Sequence, residues 1–205
     1  MVPDDTGDDV TAFIDQVSRA RIIPVLRTKS AREAVKAAGR CFDAGLTMVE
    51  LTATTTDWPQ ALRQVRSDHP DRLVGIGAVL DPAAALMAIE TGADFVVSPC
   101  PVPTVRAALE GHIPLIEGGL TVAEILAAAE HGVAKLFPAH VGGVAYLRSL
   151  LAIAPASRVV PTGGIPLADV SQWLAAGATA VGVGRDLLEA GDMVAAIRRA
   201  LQDGE

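Results

Sequence analysis

The stretch VAKLFPAHVGG, residues 133–143, sets one lysine inside an otherwise apolar run that ends in a proline, a histidine and two glycines. A strand alternates its side chains between two faces, so Lys135 shares one face with Phe137, and Ala134 shares the other with Leu136. Ala134 and Leu136 suit a face packed on helices, which turns Lys135 toward the centre of a sheet or barrel. An inward lysine there is poorly solvated. Desolvation favours the neutral amine, and a neutral amine attacks a carbonyl to form a Schiff base. Read structurally, the same residue is a strand-end lysine that snorkels to water or pairs with a carboxylate. The stretch alone admits both.

Outward from this run, strand and helix patterns alternate along the whole chain. Ile22–Leu26 reads as a buried strand ending on Arg27, and Ser30 as the N-cap of a helix over 31–44 that Gly45 stops. Strands follow at 47–51, 73–79, 94–98 and 112–117, then the lysine strand, then 158–162 and 179–183. The intervening helices are expected over 59–67, 82–91, 105–110, 122–131, 143–154 and 167–176, with a single last helix over 186–201. Pro82 suits the first turn of its helix. A short helix over 11–20 precedes the series, and the first eight residues read as a frayed tail.

Apolar strands joined by helices indicate a parallel sheet with helices on its outer surface. Eight strand–helix units predict a compact α/β fold, a closed (β/α)₈ TIM barrel with a short N-terminal helix, in which residues 1–205 form one domain. The 205 residues fall below the roughly 250 typical of that fold, so the loops must be short. The competing architecture is an open doubly wound sheet, against which stand the even eightfold repeat and the lack of a glycine-rich fingerprint after the first strand.

Half of the residues are hydrophobic and only 20% are charged, enough for a sizeable core built from small aliphatics, since aromatics make up 3%. Seventeen basic against 24 acidic residues give a net charge of −7, which argues against nucleic acid as a partner. The acidic start MVPDDTGDDV lacks the basic and apolar regions of a signal peptide, and no apolar run approaches ~20 residues, so no membrane partner is expected. Two cysteines, Cys41 and Cys100, form neither a disulfide framework nor a metal-ligand spacing, and a cytoplasmic location fits them. The four histidines share no spacing, and no metal site is indicated.

In a barrel the reacting groups gather at the C-terminal ends of the strands. Arg27, Glu50, Thr52, Ala78, Ser98, Glu117, Lys135, Thr162 and Arg185 are expected there. Glu50 obeys the same parity as Lys135, because Val49 and Leu51 claim the helix side and leave Glu50 and Thr52 inward. A buried acid and a buried lysine would then share one cavity, as a structural ion pair or as a proton carrier beside a Schiff base. PTGGI at 161–165 and GVGRD at 182–186 each follow a strand. Their glycines let backbone N–H groups approach an anion, in the loops where barrels commonly bind phosphate, although either pair is also ordinary turn chemistry. The run Thr54, Thr55 and Thr56 reads as a solvated turn.

With these residues assembled, the chain resembles the 2-keto-3-deoxy-6-phosphogluconate (KDPG) and 4-hydroxy-2-oxoglutarate (KHG) aldolase family of class I aldolases over residues 20–190. The motifs are IIPVLR at 22–27, VELT at 49–52, GIGAVL at 75–80, SPCP at 98–101, IPLIEGG at 113–119, KLFPA at 135–139 and PTGGI at 161–165. The resemblance implies a lyase that cleaves a 2-keto-3-deoxy sugar acid phosphate, or a related 4-hydroxy-2-keto acid, to pyruvate and an aldehyde without a cofactor or metal. It implies Lys135 as Schiff-base lysine, Glu50 as general acid/base and Phe137 as a wall beside the imine. It further implies phosphate binding by Thr162, Gly163, Gly164 and the loop with Gly184 and Arg185, Pro99 of SPCP at the substrate, and a homotrimer.

The chain departs from the family pattern at four positions. Thr54 stands for an arginine, Ala78 for a threonine, Glu117 for a proline and Arg185 for a serine. The first two normally hold the pyruvate carboxylate, so another cation must substitute. Arg27, at the end of the neighbouring strand, is the nearest candidate to grip a carboxylate; alternatively it balances Glu50 or Glu117. Two other readings are a barrel enzyme acting on a different carbonyl compound and a non-catalytic phosphosugar-binding homologue.

Overall fold

The computed structural model describes residues 6–202. Its eight parallel strands are β1 (Ile22–Leu26), β2 (Met48–Thr52), β3 (Leu73–Gly77), β4 (Phe95–Val97), β5 (Leu115–Gly119), β6 (Val133–Leu136), β7 (Arg158–Pro161) and β8 (Val181–Val183). They form one sheet in the order β7-β6-β5-β4-β3-β2-β1-β8. A single parallel bridge between Thr162 and Gly182 brings β7 back to β8, so the sheet is a nearly closed (β/α)₈ barrel whose seam lies between those strands.

The helices are α1 (Thr6–Ala20), α2 (Ala31–Asp43), α3 (Trp58–Asp68), α4 (Pro82–Glu90), α5 (Pro103–Leu109), α6 (Val122–Ala129), α7 (Gly143–Ile153), α8 (Val170–Ala175), α9 (Arg185–Glu189) and α10 (Met193–Gln202). Local chemistry starts several of them. Ser30 accepts from Glu33 N–H to cap α2, Asp81 accepts from Ala84 N–H to cap α4, and Thr121 with Glu124 forms a reciprocal capping box on α6.

Strand parity sorts the apolar side chains into two cores. Ile22, Leu26, Val49, Leu51, Ala134 and Leu136 face outward and pack under the helices. Ile23, Met48, Phe95, Ile116, Val133 and Val160 face inward, and Phe13, Val17 and Ala20 of α1 join them. The Phe13 and Phe95 ring centroids lie 5.5 Å apart. Helix α1 is therefore a plug on the N-terminal end of the barrel, and Gly75 leaves the Phe95 ring the space that a Cβ would fill.

Four expectations need correction. Helix α1 begins at Thr6, so residues 6–8 are helical and not part of a tail; residues 1–5 lie outside the described residues. The strand expected at 112–117 runs over Leu115–Gly119, because His112 N–H closes a turn on Leu109 O and proline at 114 has no N–H for a ladder. The third strand stops at Gly77, where Ala78 takes φ 59 and leaves the extended region. The single last helix is two, since Ala190 turns extended before Gly191 and Asp192 restarts the helix by accepting from Ala195 N–H.

Candidate active site

Met48, Glu50 and Thr52 alternate with the outward Val49 and Leu51 on β2, and Val133 and Lys135 alternate with Ala134 and Leu136 on β6. The parity brings the acid and the lysine into one cavity. Lys135 Nζ lies 3.5 Å from Glu50 Oε2, and each residue is only 4% exposed. Gly77 makes this possible from β3, because a Cβ there would fall on the Glu50 carboxylate. The Phe137 ring stands beside the lysine, its centroid 5.6 Å from Nζ. A pair so deeply buried costs desolvation that its mutual attraction barely offsets, so stability alone is a weak reason for it.

Above the pair, hydroxyls form a chain. Thr52 Oγ1, fully buried, lies 3.1 Å from Thr54 Oγ1 and 3.3 Å from Thr55 Oγ1, and Thr55 Oγ1 lies 3.3 Å from Thr28 Oγ1. Arg27 Nη1 donates to Thr54 Oγ1 at 3.2 Å. Arg27 is exposed at the mouth and balances neither carboxylate, since Glu50 pairs with Lys135 and Glu117 with Arg106. Of the threonine run, Thr54 and Thr56 are exposed as a solvated turn would have them, while Thr55 is buried against Thr52.

Glu117 does not stand at the mouth. It faces outward from β5, where Oε1 accepts from Val102 N–H at 2.6 Å and Oε2 accepts from Arg106 Nε at 3.0 Å. Its parity partner Gly118 faces inward, close against the Pro99 backbone. Glu117 and Arg106 therefore fasten the start of α5 and, with it, the loop that carries the half-buried Pro99. Ser98 is spent on the same loop, donating to Cys100 O at 2.6 Å. Ala78, half-buried beyond β3, holds a left-handed φ that would strain a β-branched threonine.

The two glycine loops meet across the seam. Thr162 is buried against Gly182, where a Cβ would strike its hydroxyl. Gly163 and Gly164 follow at φ 99 and 70, and Gly184 precedes α9, whose first residue is the exposed Arg185. Among the described residues, no turn, loop or cap hydrogen bond is donated by the N–H groups of Gly163, Gly164 or Gly184. Asp186 Oδ2 accepts from Leu167 N–H at 2.6 Å, which ties the loop after β8 to the loop after β7. Neither Asp186 nor Arg106 is marked by its neighbours in the sequence; both are recognisable only from what folds against them. Cys41 is buried under the helices, and desolvation pushes its thiol up to about 12, which makes it an unreactive core residue.

The fold thus sets an inward lysine at hydrogen-bond reach of an inward acid inside the barrel. The family model for KDPG and KHG aldolase matches residues 13–199. The chain belongs to the KDPG and KHG aldolase family. A 2-dehydro-3-deoxy-phosphogluconate aldolase of Pseudomonas aeruginosa is 38% identical over 170 residues, covering 80% of this chain and 77% of the relative. A KHG/KDPG aldolase of Escherichia coli is 36% identical over 180 residues, covering 83% and 84%. The crystal structure of a KDPG aldolase from Legionella pneumophila, with pyruvate captured as a covalent carbinolamine, superposes with a TM-score of 0.79 at 26% identity over 93% of this chain and 94% of that one. Among the described residues no helix is long and apolar enough to cross a membrane.

Proposed function

We propose that this family member is a class I aldolase that cleaves a 2-keto-3-deoxy sugar acid phosphate, or a related 4-hydroxy-2-keto acid, to pyruvate and an aldehyde. The observation that carries the reading is the buried contact between Lys135 Nζ and Glu50 Oε2. Glu50 takes a proton from Lys135, and the freed amine attacks the C2 ketone to give a carbinolamine. Glu50 returns that proton to the carbinolamine hydroxyl, which leaves as water. The C3–C4 bonding electrons flow into the resulting iminium as the C4 hydroxyl proton passes to the Glu50 carboxylate, releasing the aldehyde. The resulting enamine is reprotonated at C3 from Glu50, and hydrolysis of the iminium releases pyruvate and restores the amine. The Phe137 ring, beside Nζ, forms one wall of the imine site, with Pro99 and Thr52 lining the cavity.

Arg27 takes the carboxylate in place of the family's missing arginine. Its contact with Thr54 supports this, because that hydrogen bond holds the guanidinium beside the residue that stands for the family arginine. The substrate phosphate sits on the N–H groups of Gly163, Gly164 and Gly184, beside Thr162 and with Arg185 in reach. The family resemblance supports a homotrimer, whose mass of three chains light scattering would register. The two free cysteines fit a reducing cytoplasm. The test is pyruvate release from KDPG and from 4-hydroxy-2-oxoglutarate, followed by reduction with NADH. Turnover of at least one supports the reading, and release of pyruvate from neither contradicts it.

A further inference from the structure

We propose that His140 is a positioning residue for the substrate phosphate, an inference that rests on the anion site proposed above. After Pro138 the chain makes a single 3₁₀ turn, Ala139–Val141, and runs beside the exit of β7. Ala139 N–H donates to Thr162 O at 2.8 Å, and His140 N–H donates to Gly163 O at 3.1 Å. His140 Nδ1 lies 3.2 Å from the same Gly163 oxygen. A carbonyl oxygen only accepts, so the contact requires the hydrogen on Nδ1. One residue thus directs two donors at one carbonyl.

The consequence lies on the other side of that peptide. A trans peptide is planar, so the N–H of Gly164 points opposite to the C=O of Gly163. Holding the oxygen with two donors fixes the direction of the N–H assigned to the phosphate, and the polarised peptide becomes a stronger donor. The packing is specific to this arrangement. A Cβ at Gly164 would come within 2.7 to 2.9 Å of His140 atoms, and a Cβ at Gly163 would come within 3.0 Å of the Phe137 ring. The loop is therefore clasped between two aromatic rings, Phe137 and His140, supplied by the segment that follows the lysine strand. That clasp couples the wall of the imine site to the phosphate donors.

The test is steady-state kinetics of the full chain with KDPG and with its dephosphorylated form, for the wild type, His140→Ala and His140→Asn. Asparagine keeps an N–H donor near the Nδ1 position, and alanine removes it. Loss of one oriented hydrogen bond should raise KM for KDPG roughly three- to tenfold in His140→Ala, with kcat held within about twofold. KM for the dephosphorylated substrate should stay unchanged, and His140→Asn should recover most of the loss. An unchanged KM for KDPG, an equal rise for both substrates, or an asparagine variant as impaired as alanine would overturn the proposal. A wild type that handles both substrates with equal kcat/KM would remove the anion site itself, a failure recognisable without either variant.

Discussion

At its N-terminal end the barrel is filled by Phe13, Val17 and Ala20 of α1 against Ile23, Phe95 and Val133, whereas at the C-terminal end the same inward row carries Glu50, Thr52, Lys135 and Thr162. Single strands show both regimes. On β6 the inward residues are Val133 and then Lys135, and on β2 they are Met48 and then Glu50. Two residues of travel change the interior from apolar packing to buried charge. The closed end supplies area removed from water, which offsets the desolvation of the ion pair at the open end. Stability and chemistry are thus separated along the barrel axis, and substitutions at one end should leave the other's property intact.

The largest expected departure is at the open end. Glu50→Gln should lower cleavage by about 10²–10⁴-fold, the usual size of general acid–base catalysis, while a keto acid still adds to Lys135. Wild-type turnover in this variant would make the acid structural and blur the division between the two ends. At the closed end, Phe13→Ala should cost about 3–5 kcal/mol of unfolding free energy in urea, with kcat per folded molecule unchanged. A matching fall in kcat would show that the plug also shapes the site.

Smaller effects sharpen the comparison within the mouth. Arg27→Lys should weaken the capture of pyruvate by roughly tenfold, about 1.4 kcal/mol, because an ammonium cannot offer a planar pair of donors to a carboxylate. Unchanged capture would mean that the carboxylate is held elsewhere. The smallest effect lies on the outer layer. Glu124 accepts the backbone N–H groups of Thr121 and Leu120, which hold its carboxyl below the ordinary 4.5. A group held low stabilises the fold when ionised, fully above pH 4.5, and loses that contribution as the pH falls through its folded value. Glu124→Gln should therefore lower the melting temperature slightly near neutral pH, and the difference should close on acidification below 4.5. A difference that grows in acid would contradict the sign.

The parity of MVELT and VAKL was enough to place Glu50 and Lys135 together, because period-two alternation fixes a face whatever the partners are. The register of the fifth strand was less legible. Whether 112–117 or Leu115–Gly119 pairs depends on Pro114 and on the turn that ends α5, and the shift moved Glu117 from the mouth to the helix side. The plug was legible as a helix and not as a plug, since nothing near Phe13 states that Phe95, 82 residues later in sequence, will meet it. The Arg27–Thr54 contact and the Asp186–Leu167 tie join neighbouring strands' loops, a relation that appears only once the barrel closes. Ala78 offered no sign of its left-handed backbone, which makes a threonine there, however family-like, a strained substitution.

Lys135 is expected to form a covalent imine with the keto acid within a fold that does not depend on it. That expectation is tested most directly by borohydride reduction in the presence of pyruvate, with the added mass located by peptide mass spectrometry in the wild type and in Lys135→Met. One stable adduct on Lys135 is expected in the wild type, and none in the variant although it melts cooperatively. A variant that still traps pyruvate, or a wild type modified at another lysine or not at all, would contradict that expectation.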